Sequence, residues 1–217
     1  VPWWQLLEPG KAEPSADARA LIYSLGDRFQ TVEAKRLGDD QLLALAVSSA
    51  AALEEVIPYA LDGDFDMLLL DGSGALGSPQ AELAGPPDLT ILRDAVKILR
   101  RLDREEEIDL VYFGGVRSGT DTAKLIALGT SAVVLGVPVA LAAGGDFAGG
   151  DMRFKADHGA DDRLRGVVNI LKASAIEASM MARCTGKTRL HNVEPEDLRA
   201  ITLATAKATG IPLVGTP

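Results

Sequence analysis

Cysteine is nearly missing from this chain: Cys184 is the only one in 217 residues. One thiol excludes an intrachain disulfide and a thiolate metal cluster, and such cysteine usage fits a cytosolic, cytoplasmic protein. Histidine is equally scarce. Only His158 and His191 occur, and neither has ligand-like spacing to a carboxylate, so no metal site is expected. Basic residues are outnumbered, 22 Lys and Arg against 31 Asp and Glu, for a net charge of −9. A nucleic-acid partner is therefore not expected, because phosphate contacts need clustered cations. No apolar run reaches the length of a membrane span, so no membrane partner is expected. Val1 to Leu7 lacks the basic start of a signal peptide. A first residue other than Met, followed by Trp3 and Trp4, reads as an internal piece of a longer chain. There is no G-x-S-x-G elbow, no phosphate loop ending in Gly-Lys-Ser/Thr and no G-x-G-x-x-G opening a first βα turn. Ser/His/Asp chemistry has no support.

What is present is an apolar chain with few aromatics. Hydrophobic residues make up 47% and aromatics 5%, as expected where small helices cover a buried sheet. Residues 1–14 read as an irregular arm, and Ser15 as the cap of a helix through Leu25. Residues 28–60 admit two readings. Thr31 to Leu37 can be a short strand before one long helix, or Leu42 to Val47 can be a buried strand with Ser48 or Ser49 capping a helix through Leu61. The second suits a parallel sheet better.

Beyond that point, strands and helices alternate. Strands are expected over Asp66–Leu70, Ile108–Phe113 and Ala132–Leu135. Helices are expected from Asp88 to Leu102, over Thr120–Leu128, from Pro138, from Asp161 to about Arg183, and after Glu194-Pro195-Glu196-Asp197. The result is an α/β chain of about four βα units over 15–143, a Gly/Asp-rich loop or lid over 144–160 and a helical tail over 161–217. That loop carries Asp146, Asp151, Arg153, Lys155, Asp157 and His158, and reads either as a lid or as a solvated excursion.

The segment Phe113-Gly114-Gly115-Val116-Arg117-Ser118-Gly119-Thr120-Asp121 is the strongest candidate site. An apolar strand ends in a glycine pair and a helix follows. A second strand then ends at Gly136-Val137. A (β/α)8 barrel builds a phosphate site in this way at the ends of its last two strands. Glycines bring backbone N–H groups to an anion, Arg117 offers a cation, and a helix N-terminus adds partial positive charge. The loop Asp71-Gly72-Ser73-Gly74-Ala75-Leu76-Gly77-Ser78-Pro79 is the second candidate, with Asp71 at the functional end of a buried strand. A barrel typically needs about 250 residues, so this chain is short for one.

These two loops, with Ala127-Leu128-Gly129 and Val133-Val134-Leu135-Gly136, resemble the FMN-binding (β/α)8 domain of glutamate synthases. The stretches from Arg163 to Gly186, Val193 to Thr202 and Thr209 to Leu213 are similar to the helical end of the shorter, archaeal-type members. The resemblance covers roughly residues 40–215. It implies FMN as cofactor, with its phosphate on Gly114, Gly115, Arg117, Ser118, Gly136 and Val137. It also implies a 2-oxoglutarate site beside Asp71, Gly72, Ser73 and Gly74. The implied reaction is reductive: an amine donor condenses with 2-oxoglutarate, and flavin hydride gives glutamate or an N-substituted glutamate.

Three departures accompany the resemblance. Residues 137–160 lack the cysteines that hold an iron–sulfur centre in the family, so no such cluster is expected in this chain. Leu42–Val47 lacks the family's mid-barrel lysine, leaving Lys35 as a candidate only if Thr31–Leu37 is the strand. The first half of the barrel is absent, which implies partner subunits or an N-terminal half that completes it. Two other readings stand beside this one: a degenerate barrel subunit with a scaffold role, and another FMN- or phosphate-binding barrel oxidoreductase.

Overall fold

The computed structural model describes residues 2–25, 29–74, 76, 81–83, 85–148, 151–154, 156 and 158–216. Six parallel strands form one curled sheet in the order of the chain. They are β1 (Trp4–Leu7), β2 (Ala20–Ser24), β3 (Leu42–Val47), β4 (Met67–Asp71), β5 (Asp109–Phe113) and β6 (Ala132–Val134). Four of them lead into helices: α1 (Leu53–Asp62), α2 (Thr90–Leu102), α3 (Gly119–Ala127) and α4 (Val137–Ala142). The α/β barrel-type architecture expected from the sequence is therefore present, with two more strands than the expected four.

The extra strands correct two expectations. The arm over 1–14 contains β1, which pairs with β2 in parallel from Trp4↔Ala20 to Leu7↔Tyr23. The helix expected from Ser15 to Leu25 is a turn followed by β2. Alternating Ala and charged residues there favour a helix locally, but tertiary pairing wins. As a strand between β1 and β3, Ala20 and Leu21 become fully buried and Ile22 nearly so. Gln41 anchors the turn, donating from its buried amide to the Ser15 and Ala18 carbonyls at 2.9 and 2.7 Å. Residues Thr31–Leu37 form no strand, and Lys35 lies exposed on the connection before β3. The condition under which Lys35 was a site candidate is thus not met.

Register assigns the two faces of the sheet. Leu6, Ile22, Ala44, Met67 and Asp109 form one row across it, and Ser24, Ala46, Leu69, Val111 and Ala132 the next. The last row on the same face, at the C-terminal ends of the strands, is Asp71, Phe113 and Val134. This inner face has its own apolar cluster, with Ala20, Ala44 and Ala46 keeping it shallow beside Met67, Leu69 and Phe113. The opposite face carries Leu21, Leu43, Leu45, Leu68, Leu70, Leu110 and Tyr112, packed against α1 and α2. Strands buried on both faces explain the continuous apolar runs.

Helix α2 shows how a sequence feature becomes packing. Asp88 accepts from the Thr90 N–H and hydroxyl at 2.8 and 2.6 Å, one residue before the N-cap Leu89. Ile91, Leu92, Ala95, Ile98 and Leu99 then fall on one buried stripe. Each large one contributes about 1.5–3 kcal/mol by leaving water.

The loop expected over 144–160 instead holds an antiparallel hairpin of β7 (Gly145–Ala148) and β8 (Asp151–Phe154). Paired backbone accounts for the order that composition alone hid. Lys155 and Asp157, from the same expected loop, lie outside the described residues. The tail opens with α5 (Ala160–Cys184), which crosses α3 and α4, and includes α6 (Leu203–Thr209), which meets α2. The α3–α5 crossing is close: a Cβ on Gly119 would lie 2.0 Å from the Ser174 carbonyl oxygen. Cys184, at the end of α5, is exposed. Among the described residues, no helix is long and apolar enough to cross a membrane.

Candidate functional site

The site lies where β4, β5 and β6 end. After Phe113 the backbone turns through Gly114 at φ 130° and Gly115 at φ 64°, conformations that a Cβ disfavours. This turn also packs closely on its neighbour, since a Cβ on Gly114 would sit 2.8 Å from the Ser73 nitrogen. The Gly72 N–H donates to the Phe113 carbonyl at 2.8 Å, so the β4 and β5 loops are joined by backbone. Behind them the buried Tyr112 hydroxyl donates to the Asp88 carbonyl at 3.1 Å. Burial pushes the Tyr112 phenol well above its ordinary value, helped by Asp88 and Asp71, so it acts as a neutral donor.

Two backbone N–H groups from different loops meet at one point. Gly115, after β5, donates to Glu82 Oε1 at 3.0 Å. Val137, the first residue of α4 after β6, donates to Glu82 Oε2 at 2.7 Å. Glu82 belongs to a single 3-10 turn, Ala81–Leu83, between β4 and α2. The carboxylate lies so close to Gly136 that a Cβ there would be 1.9 Å from Oε2. The two glycine-containing loops thus do bring N–H donors together, and the group they hold is a carboxylate of the same chain. Half-burial pushes the Glu82 carboxyl above its ordinary range. The charge of Asp71 adds to the rise, and the Val137 and Gly115 N–H groups oppose it.

The other anion-binding features expected here are placed differently. Arg117 turns outward, its side chain 81% exposed, and pairs with Asp121 at 3.0 Å. An i,i+4 partner on the same helix start is nearer than the cradle, so Arg117 does not join Gly115 and Val137. The N-terminus of α3 is capped by Glu177 from α5, which accepts from the Gly119 N–H at 3.0 Å and from the Thr120 hydroxyl. Those bonds, led by Thr120 and including the Ser118 side chain, hold the Glu177 carboxyl below its ordinary range. The tail thus supplies its own anion to that helix end, and Ser118 belongs to this cap.

Asp71 is 2% exposed on the inner face. Its Oδ1 accepts from the Ser73 N–H at 2.9 Å and the Ser73 hydroxyl at 2.5 Å, and Oδ2 from the Leu76 N–H at 2.7 Å. All these donors belong to its own loop, so Asp71 shapes the loop. Gly72 passes under Tyr112, whose hydroxyl would lie 1.9 Å from a Cβ at that position. Gly74 is left-handed at φ 71° in open space. Ala75 and Gly77 to Pro79 lie outside the described residues.

Glu82 and Glu177 are the site residues that sequence reasoning missed. Glu82 lies 33 and 55 residues from its partners Gly115 and Val137, and Glu177 lies 58 residues from Gly119. A lone acid in a Gly/Pro-rich stretch gives no sign of such a partner. Glu177, in contrast, sits within the tail stretch that follows the barrel, and only the α3–α5 crossing reveals its role.

Residues 5–148 match the family model described as a conserved region in glutamate synthase. A glutamate synthase large subunit-like protein of Rhizobium meliloti is 34% identical over 190 residues, covering 72% of this chain and 43% of that protein. An L-lactate dehydrogenase (cytochrome) of Saccharomyces cerevisiae is 24% identical over 200 residues, covering 92% of this chain and 30% of that one. The chain spans less than half the length of these curated relatives. Among solved structures, a flavocytochrome b2 mutant with pyruvate bound is similar at a TM-score of 0.57 and 18% identity, over 92% of this chain and 51% of that one. A mandelate oxidase with benzoyl-formic acid follows at 0.53 and 18%, over 82% and 54%. These structural likenesses speak for the fold, and the sequence matches go further: the chain belongs to the glutamate synthase family.

Proposed function

We propose that this chain is the C-terminal part of an FMN-dependent oxidoreductase barrel of glutamate synthase type. The single observation that carries the reading is the convergence of the Gly115 and Val137 N–H groups on one anion at the tips of β5 and β6. A phosphate needs such donors, and a glycine at 136 leaves it room. The inner face beside the cradle, formed by Leu69, Phe113 and Ala46, is apolar and shallow, which suits a flat ring. The residues present therefore fit a flavin mononucleotide once Glu82 has left the cradle.

Flavin supplies hydride transfer when bound. The chain's own part is positional. Gly115 and Val137 hold the phosphate end, Phe113 and Leu69 exclude water from the inner face, and Asp71 fixes the loop that would face the substrate. The substrates proposed are 2-oxoglutarate and an amine donor, with glutamate or an N-substituted glutamate as product. A partner subunit or a further segment that brings the remaining strands to the outer edges of β1 and β6 would close the barrel.

One observation favours the alternative of a scaffold subunit: both anion positions, at the cradle and at the α3 N-terminus, are filled by the chain's own Glu82 and Glu177. The two readings separate in one assay. The natively purified protein, with its partners, is loaded with FMN, reduced anaerobically and mixed with 2-oxoglutarate and ammonium or methylamine. Reoxidation with glutamate or N-methylglutamate formed in equal amount is expected. Reduced flavin that persists through every amine tried would sink the amination, and failure to load FMN would favour the scaffold.

A further inference from the structure

The Glu82 carboxylate is more than a neighbour of the cradle. It takes both convergent donors, one oxygen to each loop, in the bridging arrangement that an incoming phosphate would use. Space excludes joint occupancy, because the backbone of Gly136 already closes on Oε2. A second anion could enter only beside a carboxylate, with Asp71 a further negative charge nearby, and like charges at close range repel more strongly where water is partly excluded.

The described part of the Glu82 segment is short and open to solvent. Its turn is three residues long, Leu83 beside it is 54% exposed, and Gly85 and Pro86 after it are exposed. Among the described residues, Glu82 forms no ion pair. Among the described residues, the two bonds that the carboxylate itself makes tie this turn to the strand tips. Displacement of the Glu82 side chain from the strand tips would expose the two N–H groups together.

The geometry points to Glu82 as an internal ligand of the phosphate cradle, a latch that must swing out before a phosphate-bearing flavin can dock. This role rests on the flavin reading proposed above. Because only the open form binds, the observed affinity for FMN falls by the open fraction. Riboflavin, which has the same ring and no phosphate, does not compete with the carboxylate. The latch thus makes the chain discriminate between apo and loaded states through one side chain.

The test measures FMN and riboflavin binding by fluorescence quenching in the natively purified protein and in Glu82→Ala and Glu82→Gln. Removal of the carboxylate is expected to tighten FMN about tenfold or more and to leave riboflavin unchanged. Glu82→Gln keeps the shape but loses the charge, and should fall between the two. Melting curves report folding, and if Glu82→Ala does not fold, Glu82→Gln carries the comparison. Unchanged or weaker FMN binding in folded variants overturns the latch. If neither the native protein nor the variants bind FMN, the flavin reading fails, and inorganic phosphate decides the latch by calorimetry. Phosphate bound by Glu82→Ala and not by the native chain sustains it, and phosphate bound by neither overturns it.

Discussion

Asp71→Ala is expected to lower the melting temperature by on the order of 8 °C. The carboxylate is buried and accepts from the Ser73 N–H, the Ser73 hydroxyl and the Leu76 N–H. Alanine removes the one acceptor that these three donors share, at a half-buried turn. A stranded buried donor costs about 1–3 kcal/mol, and partial rescue by solvent at the exposed end of the loop brings the expected total to about 2–4 kcal/mol. For a chain of this size each kcal/mol is worth about 2–4 °C. Asp71→Asn keeps the shape and one acceptor oxygen, so about half the loss is expected. Thermal unfolding of both variants checks the ordering, and an alanine variant that melts with the native protein would mean that the loop does not depend on Asp71.

Gly114→Ala is the second large effect. At φ 130° the backbone lies outside the region where an L side chain is tolerated, and the new Cβ would be 2.8 Å from the Ser73 nitrogen. Strain of this kind costs about 1–3 kcal/mol, and forced overpacking about 1–3 kcal/mol more. Relief requires the β4 and β5 loops to separate, which carries the Gly115 N–H away from the Val137 N–H. A loss of about 2–4 kcal/mol in stability and a fall on the order of a hundredfold in FMN affinity are expected. Gly38→Ala is the matched control, because nothing lies within 4 Å of its Cβ and its φ is ordinary. Equal behaviour of the two variants in unfolding and flavin titration would contradict the tight-turn account.

The parts of the fold legible in the sequence were those fixed by local pattern. Leu42–Val47 and the residues before Phe113 are apolar runs bounded by polar residues, and such runs are buried parallel strands. Gly114, Gly115 and Gly136 announced a turn that an anion can approach. What stayed hidden depends on partners remote in sequence. Ala20–Ser24 is a strand only because β1 and β3 flank it, and the hairpin over 145–154 only because its two halves pair. Arg117 has the right chemistry for a phosphate, but Asp121 lies one helical turn away and takes it. Glu82 and Glu177 fill anion sites whose donors come from loops dozens of residues distant, and no periodicity records that convergence.

The central claim is that the tips of β5 and β6 hold a flavin phosphate. The near-ultraviolet and visible absorption spectrum of the natively purified protein, before and after addition of FMN and repeated on Glu82→Ala, tests it most directly. Flavin bands that bleach on reduction are expected, stronger in Glu82→Ala at limiting FMN. A spectrum that stays blank in both proteins with FMN in excess would contradict it and leave the barrel half as a scaffold.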